Sequence, residues 1–447
     1  MNLTDSFIDY LYKFSNQSFD EDVVTQSKRC FLDYLGVTYA GKHALGTKLN
    51  LLLEQFSITE YSETEIDDNY QICSEHVAFI NGLCSHFLEL DDGSRFGGIH
   101  PGAPIFSSLL ALIQFEDVNV TNFIKAIVTG YEAAIRLSAA IQPYHHNLGY
   151  HPTGTCGAIG AAIALSVALN FDKPKMKKAF TVAALTTSGS LKVLENASEL
   201  KPINVGYAAK NAIMAIKIAR VGLEIPEDVL GGKNGFVSMM ANHIDQSLLL
   251  DIDTVPAIKK IYFKVYPACR HCHSPIEATI DIIKNKKFSI DDIKSIKVKT
   301  YNYVIGKHDH KEILGSASAK MSIPYCVSAA ILFGAVGSKQ FTLESIRNPR
   351  ISDLINKVEV VEDYQLSKLV PRKRPATVEV TLKNDESYVK HVDFPRGEPE
   401  NPVSNDELFE KFEELMKYTK ISEEKINNLK RIIFELETTF GELKNWL

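Results

Sequence analysis

Within the stretch ELDDGSRFGGIHPG, residues 89 to 102, three carboxylates (Glu89, Asp91, Asp92), the guanidinium of Arg95 and the imidazole of His100 are interleaved with glycines. So many titratable groups on a segment too glycine-rich for a regular helix suit a site better than a scaffold. Neighbouring carboxylates repel, so one of them must be held protonated or bonded to a cation or to backbone N–H groups. The bland alternative is a turn capped by Asp91 or Asp92, since Asp-Gly is a common turn pair. Calcium is not expected, because the regular acidic spacing of a calcium loop is absent. Pro101 fixes the backbone after His100, and Gly102 permits close approach of a ligand.

Three further segments carry comparable groups. GYHPTGTCG (149–157) repeats the His-Pro pairing at His151 and opens a run of small residues. A helix beginning there would offer free N–H groups at Thr153, Gly154 and Thr155 to a carboxylate, or be capped by Thr153 or Thr155. In KPINVGYAAKNAIMA (201–215), Lys210 is flanked by Ala208, Ala209, Ala212 and Ile213. It either snorkels to solvent or faces an anion. FKVYPACRHCHSPIEA (263–278) crowds Lys264, Arg270, His271 and His273 around Cys269 and Cys272. Cys-x-x-Cys with interleaved histidines invites a zinc reading, but a second ligand pair at ordinary spacing is missing, and His308-Asp309-His310 lies in a charged stretch. A redox dithiol lacks the expected strand–helix–strand setting. We therefore expect no metal and read the segment as a cationic cluster.

Acids and imidazoles from one part of the chain, with lysine, arginine and imidazole from others, suit proton transfer beside a carboxylate-bearing carbon. Such chemistry needs a base for the α-proton, cations for the developing enediolate charge and, for loss of water, an acid on the leaving oxygen. These segments must converge on one anion-sized hollow.

The elements that position them change character along the chain. Up to about residue 250, apolar residues recur at helical spacing, as in Ile8, Leu11 and Tyr12 and in Phe31, Leu32, Leu35 and Gly36. GAIGAAIALSVAL (157–169) is apolar nearly all round and predicts a buried helix in close contact with others. Strand periodicity appears in 293–301 and 357–363, and 376–394 reads as a hairpin turning at Lys383–Glu386. Between them, 317–337 and 343–348 look helical. After the proline-rich PRGEPENPVS (395–404), helices are expected over 405–419 and 422–439, the second starting at Ser422. The expected division is a helical domain over 1–260, an α+β domain over 261–395, and helices over 396–447 returning to the first domain.

Composition sets bounds on partners. With 447 residues, two domains are the first expectation. Apolar residues at 45% and charged residues at 23% are ordinary for a globular chain. A net charge of −6 argues against a general nucleic-acid or anionic-membrane binder. No run is long and apolar enough to span a membrane, and residues 1–14 do not read as a signal peptide. Seven scattered cysteines suit a reducing cytoplasm.

Taken in order, FLDYLGVTYAG, NGLCSHFLELDDGSRFGGIHPG, GYHPTGTCGAIGAA, NVGYAAKNA, KVYPACRHCHSPIEA, SAKMSIPYCVSAAI and PRGEPENPVS resemble the MmgE/PrpD family over nearly the whole chain. That family includes 2-methylcitrate dehydratase, cis-aconitate decarboxylase and iminodisuccinate epimerase. The resemblance implies a mainly α protein: a large helical domain made from both chain ends, a smaller α+β lid, a homodimer, and catalysis without a cofactor. It places the acidic motif on Glu89, Asp91 and Asp92, the two histidines on His100 and His151, the lysines on Lys210 and Lys264, and a lid tyrosine on Tyr325, whose alternative is a core tyrosine. Asp91 would orient a histidine. Arg95, Thr153, Arg270, His271 and His273 complete the candidate substrate contacts. The expected activity is elimination of water from a small di- or tricarboxylate, with epimerisation, decarboxylation or carboxylate binding without catalysis as alternatives. Two departures stand out. Gly93 and Ser94 follow the acids where the dehydratase and decarboxylase branches tend to have threonine, and Cys269 stands where the decarboxylase branch has histidine.

Overall fold

Alanine and glycine let helices touch backbone to backbone, and the helix Pro152–Ala168 uses this along its whole length: each of its residues is buried. It packs against the helices Gly102–Ile113, Val120–Ile141, Lys173–Thr186 and Lys201–Val221. At the crossing with Val120–Ile141, a Cβ on Gly160 would sit 2.5 Å from the Ala134 Cβ and 2.8 Å from the Gly130 carbonyl oxygen. No residue with a side chain fits there without parting the helices. The computed structural model describes residues 2–56, 65–67, 70–71, 73–195, 198–251, 255–285 and 288–445.

The chain divides into two compact units. The first comprises residues 1–193, 200–262 and 404–447 and is helical around the buried helix just described. Its N-terminal helix Leu3–Ser15 buries Phe7, Ile8 and Leu11. The helix Glu21–Leu45 buries Phe31, Leu32, Leu35 and Gly36, and the late helix Asn405–Tyr418 lies on it. Reciprocal bonds between Ser404 and Glu407 start that late helix. Ser422 caps the next one, Glu423–Phe434, by accepting the Lys425 N–H.

The second unit comprises residues 194–199 and 263–403. Its four-stranded sheet has the order 358–362, 293–300, 376–382, 387–392; the first pair is parallel and the others antiparallel. Alternate residues of Ala376–Leu382 are buried, as the period-two sequence requires. The hairpin turns through Asp385, at φ 62°. Helices His273–Asn285 and Ile323–Phe333 pack on the sheet, and their apolar sides share a core with Ile296, Val298, Val378 and Val380. The helix expected over 317–337 is broken at Ser322, which ends Ser316–Met321 and caps Ile323–Phe333 ahead of Pro324. Proline disfavours the helical conformation in the residue before it and suits a first turn. The fold is thus mainly α with a small α+β part. Among the described residues, no helix is long and apolar enough to cross a membrane.

Candidate functional site

The helix Ser74–Phe87 carries His86 in its last turn. Just beyond, Glu89 adopts a left-handed backbone at φ 57°. That region is sparsely used by residues with a Cβ, and here it turns the chain out of the helix. The following loop closes on itself through Ser94 N–H to the Ile99 carbonyl at 2.8 Å. Two backbone bonds, 3.0 and 2.7 Å, pair Gly93 with Tyr262. The helix Gly102–Ile113 then begins directly after His100 and Pro101.

This loop brings three imidazoles together within the helical unit. The His86 and His100 ring centroids are 4.9 Å apart, and those of His86 and His151 are 5.8 Å apart. Their partners fix which nitrogen carries the proton. His86 Nδ1 is 2.7 Å from Asp91 Oδ2, so that nitrogen donates to the carboxylate. His86 Nε2 is buried without a hydrogen-bond partner among the described residues and lies 3.9 Å from Glu89 Oε1. His100 Nδ1 is 2.6 Å from the Asp92 carbonyl, which only accepts, so Nε2 keeps the lone pair. Asp91 also lies 3.5 Å from His100 Nδ1. His151 Nδ1 accepts from the Asn204 amide at 3.3 Å, which leaves Nε2 as the protonated nitrogen. His100 therefore offers an acceptor and His151 a donor.

Burial drives the electrostatics. Desolvation holds His151 well below the ordinary imidazole range, reinforced by the positive charge of Lys201 and by His86 and His100. It is a neutral imidazole at pH 7. Asp92 is pushed up to about 8, first by burial, then by Asp33 and Asp91, against the lowering hydrogen bonds from Tyr131 and Gly102. The Tyr131 hydroxyl donates to its Oδ2 at 2.5 Å and the Gly102 N–H to its Oδ1 at 3.2 Å. Asp92 thus braces the loop, and Asp91 holds the imidazoles.

The cation of the cluster is Lys201, the first residue of the helix Lys201–Val221, whose Nζ is 2.5 Å from Glu89 Oε1. Lys210 of the same helix is half-buried, and its charge acts on His76. His151, not a threonine, occupies the cap position of the helix Pro152–Ala168, and it makes no side-chain cap bond. Thr153 instead accepts the His100 N–H at 3.1 Å, tying the two His-Pro segments together. Thr155 bonds His145 Nε2 at 2.7 Å. Arg95 is buried and stacks on Phe96, 4.7 Å from its ring centroid.

The threonine departure has a steric counterpart. A Cβ on Gly93 would lie 2.4 Å from the hydroxyl oxygen of Tyr262 and 2.6 Å from its ring. Tyr262, itself buried, fills the room a threonine side chain would need.

In the second unit, Lys264 is fully buried, and burial pushes the nearby Cys272 thiol well above its ordinary range, with Cys326 and Cys269 adding to the rise and the Lys264 charge opposing it. Arg270 binds Glu398 at 2.9 Å, the carbonyls of Pro395 and Arg396, and His273 Nδ1. His273 bonds in turn to the Ala268 carbonyl at 3.3 Å. Arg270 and His273 therefore brace the 395–398 segment. Tyr325 is buried and donates its hydroxyl to the Gln340 carbonyl. His271 bonds Tyr301 and stacks on His308. Among the described residues, two groups have ligand atoms close enough to hold a metal: His86, Asp91 and His100, and Cys269, His271 and His308.

His86, Lys201 and Asn204 escaped the sequence reading. His86 lies five positions before Asp91 on a helix end, and only the turn at Glu89 folds Asp91 back onto it. Lys201 and Asn204 begin a helix and follow a glycine-poor polar stretch, so their sequence setting marks a boundary and not a pocket.

Models of the MmgE/PrpD N-terminal domain and the MmgE/PrpD C-terminal domain match residues 5–248 and 266–434. Cis-aconitate decarboxylase of Mus musculus is 24% identical over 443 residues, covering 92% of this chain and 86% of that protein. The cis-aconitate decarboxylase-like protein oryM of Aspergillus oryzae is 23% identical over 468 residues, covering 98% and 95%. The mitochondrial 2-methylcitrate dehydratase of Yarrowia lipolytica is 30% identical over 136 residues, covering 28% and 26%.

Proposed function

This chain belongs to the MmgE/PrpD family, and on that premise we propose that it is a lyase that eliminates water from a small di- or tricarboxylate, using its own side chains for the proton transfers. The observation that carries this reading is the buried cluster of His86, His100 and His151 with Asp91, Glu89 and Lys201. Relatives named as a decarboxylase and a dehydratase support enzyme status.

In the proposed reaction His100 Nε2 takes the proton from the carbon next to a carboxylate. The electron pair left behind enters the carboxylate as an enediolate and then forms the C–C double bond. The departing hydroxide leaves as water with a proton from an acid on the other side of the substrate. Lys201 holds the developing negative charge, and a cation aimed at such charge in a dry site stabilises it strongly. This scheme assigns the leaving oxygen a hydrogen bond from His151 Nε2–H. Asp91 orients His86 and His100, so both present the same tautomer throughout.

The same pair of imidazoles, one acceptor and one donor, favours a second reading as an epimerase, which needs a proton removed from one face and returned to the other. The experiment is to incubate the protein with 2-methylcitrate, citrate, cis-aconitate and iminodisuccinate in deuterated water and follow the products by NMR. Loss of water from the hydroxy acids is expected, and in the reverse direction hydration of cis-aconitate should place one deuterium on the carbon next to the carboxylate. Deuterium exchange with inversion and no loss of water selects the epimerase, release of CO₂ selects a decarboxylase, and the absence of turnover and exchange with every acid overturns both readings.

A further inference from the structure

The turn that carries Cys269 and His271 is met, within the second unit, by the segment that follows the strand Ile293–Thr300. Cys269 Sγ lies 3.9 Å from His308 Nε2. The His271 and His308 rings stack with centroids 5.0 Å apart and 29° between their planes. One ligand atom from each of the three residues lies within 4.8 Å of the other two. We propose that Cys269, His271 and His308, all of the second unit, form a binding site for a borderline-soft divalent metal ion of the zinc type.

The donors are already oriented. His308 Nδ1 is 2.9 Å from the Met321 carbonyl. A carbonyl only accepts, so Nδ1 carries the proton and Nε2 keeps its lone pair on the side of Cys269. Such a carbonyl bond behind an imidazole is the usual device that fixes a ligating histidine. His271 Nδ1 is 2.5 Å from the Tyr301 hydroxyl. A hydroxyl oxygen can accept from an imidazole N–H, and with Nδ1 as the donor His271 Nε2 keeps its lone pair. The Cys269 backbone N–H donates to the Lys320 carbonyl at 2.9 Å, which holds the turn.

The spacing fits a small tetrahedral ion. Zinc–sulfur and zinc–nitrogen bonds of about 2.3 and 2.0 Å put sulfur and nitrogen about 3.5 Å apart, so the pair at 3.9 Å needs only a small rotation. A donor set of one sulfur and two imidazole nitrogens, without carboxylates, suits zinc over magnesium or calcium. On binding, the Cys269 S–H bond breaks, its proton goes to solvent, and the sulfur electron pair forms the metal bond. One thiolate on a dication leaves a single positive charge and a fourth position for water. The ion would clamp the turn at 269–272 to the segment at 301–308. His271, expected from the cationic cluster of its segment to contact substrate, is here a metal ligand. The sequence raised the zinc reading and set it aside because His308 lies far outside ordinary zinc-ligand spacing; the fold returns it to Cys269.

The test is a cobalt titration of the reduced, full-length protein without oxygen, followed by zinc displacement. The expected result is a thiolate-to-cobalt charge-transfer band that saturates at one ion per chain and vanishes when zinc is added. Cys269→Ser should abolish the band, His308→Ala and His271→Ala should weaken binding at least about tenfold, and Cys73→Ser should leave it unchanged. Zinc should raise the melting temperature of the wild type but not of Cys269→Ser or His308→Ala, whose melting without metal shows that they fold. No thiolate band in the wild type, a band that survives Cys269→Ser, or an equal zinc shift in both His308→Ala and wild type would overturn the proposal.

Discussion

Lys201 and Lys210 stand about two and a half turns apart on one helix, so an ideal helix points them to opposite sides. The structure pairs the first with Glu89 beside the imidazoles and leaves the second near His76. The two lysines are therefore separable by mutation. Lys201→Met should reduce kcat by about 10²–10³-fold, the usual effect of losing one stabiliser of transition-state charge, while Lys210→Met should change it by less than about tenfold. Steady-state kinetics on the substrate found by NMR decides; a larger loss for Lys210→Met would remove Lys201 from the mechanism. Sequence context favoured Lys210 because its apolar neighbours made it conspicuous, whereas Lys201 looked like a helix start. Asp92 gives a second, pH-based test. Its folded value of about 8 exceeds the unfolded value of about 3.9. Between these values the folded state holds a proton that the unfolded state has lost, so stability falls as pH rises towards 8 and then levels. Asp92→Asn keeps an acceptor for Gly102 and a partner for Tyr131 but cannot titrate. Between about pH 5 and pH 8, its melting temperature should fall less steeply than that of the wild type; parallel slopes would show that Asp92 is ionised in the folded protein.

At the scale of elements, much was legible. The period-two stretches became strands, and the run of alanine and glycine became the fully buried helix Pro152–Ala168. What sequence could not give was the consequence of turns. The left-handed Glu89 folds Asp91 back to His86, and the break at Ser322 divides one expected helix into two. Neither leaves a periodic signal, because each depends on one residue's backbone angle or cap. The role of Thr153 was hidden for the same reason: its hydroxyl joins His100 only after two distant segments pack. The helix crossing at Gly160 is directly testable. Gly160→Ala puts a methyl group against Ala134 and the Gly130 carbonyl, and overpacking of this kind costs about 1–3 kcal/mol. Gly441→Ala, where a Cβ meets open space, is the control and should stay within about 0.5 kcal/mol of wild type. Denaturant unfolding of the two variants measures the difference; equal midpoints would mean that the crossing yields without cost.

Across the whole molecule, the ends of the chain meet in the helical unit and support the site. The late helix Asn405–Tyr418 lies on Glu21–Leu45 and sends Lys411 to Asp33, 2.5 Å away, and to the Leu90 carbonyl, 2.9 Å away. One ammonium thus links the helix Asn405–Tyr418, the helix Glu21–Leu45 and the acidic loop that carries Asp91 and Asp92. Asp33 is almost wholly buried, and its charge is one of those that raise Asp92. Lys411→Met removes the ammonium but keeps much of the apolar stem. Stripping one member from a buried pair costs about 3–5 kcal/mol, because the remaining charge stays desolvated. The lower end applies here, since Lys411 retains some exposure. Asp33→Asn in the same chain should recover most of that loss, and a double-mutant cycle isolates the pair from the packing of the helix. Activity should follow a different rule. Lys411→Met also frees the Leu90 carbonyl and loosens the Asp91 loop, so kcat should fall in the single variant and stay low in the double variant even where stability returns. Recovery of kcat in step with stability would place Lys411 in the scaffold alone; recovery of stability without kcat would show that the late helix positions the histidine cluster through Leu90.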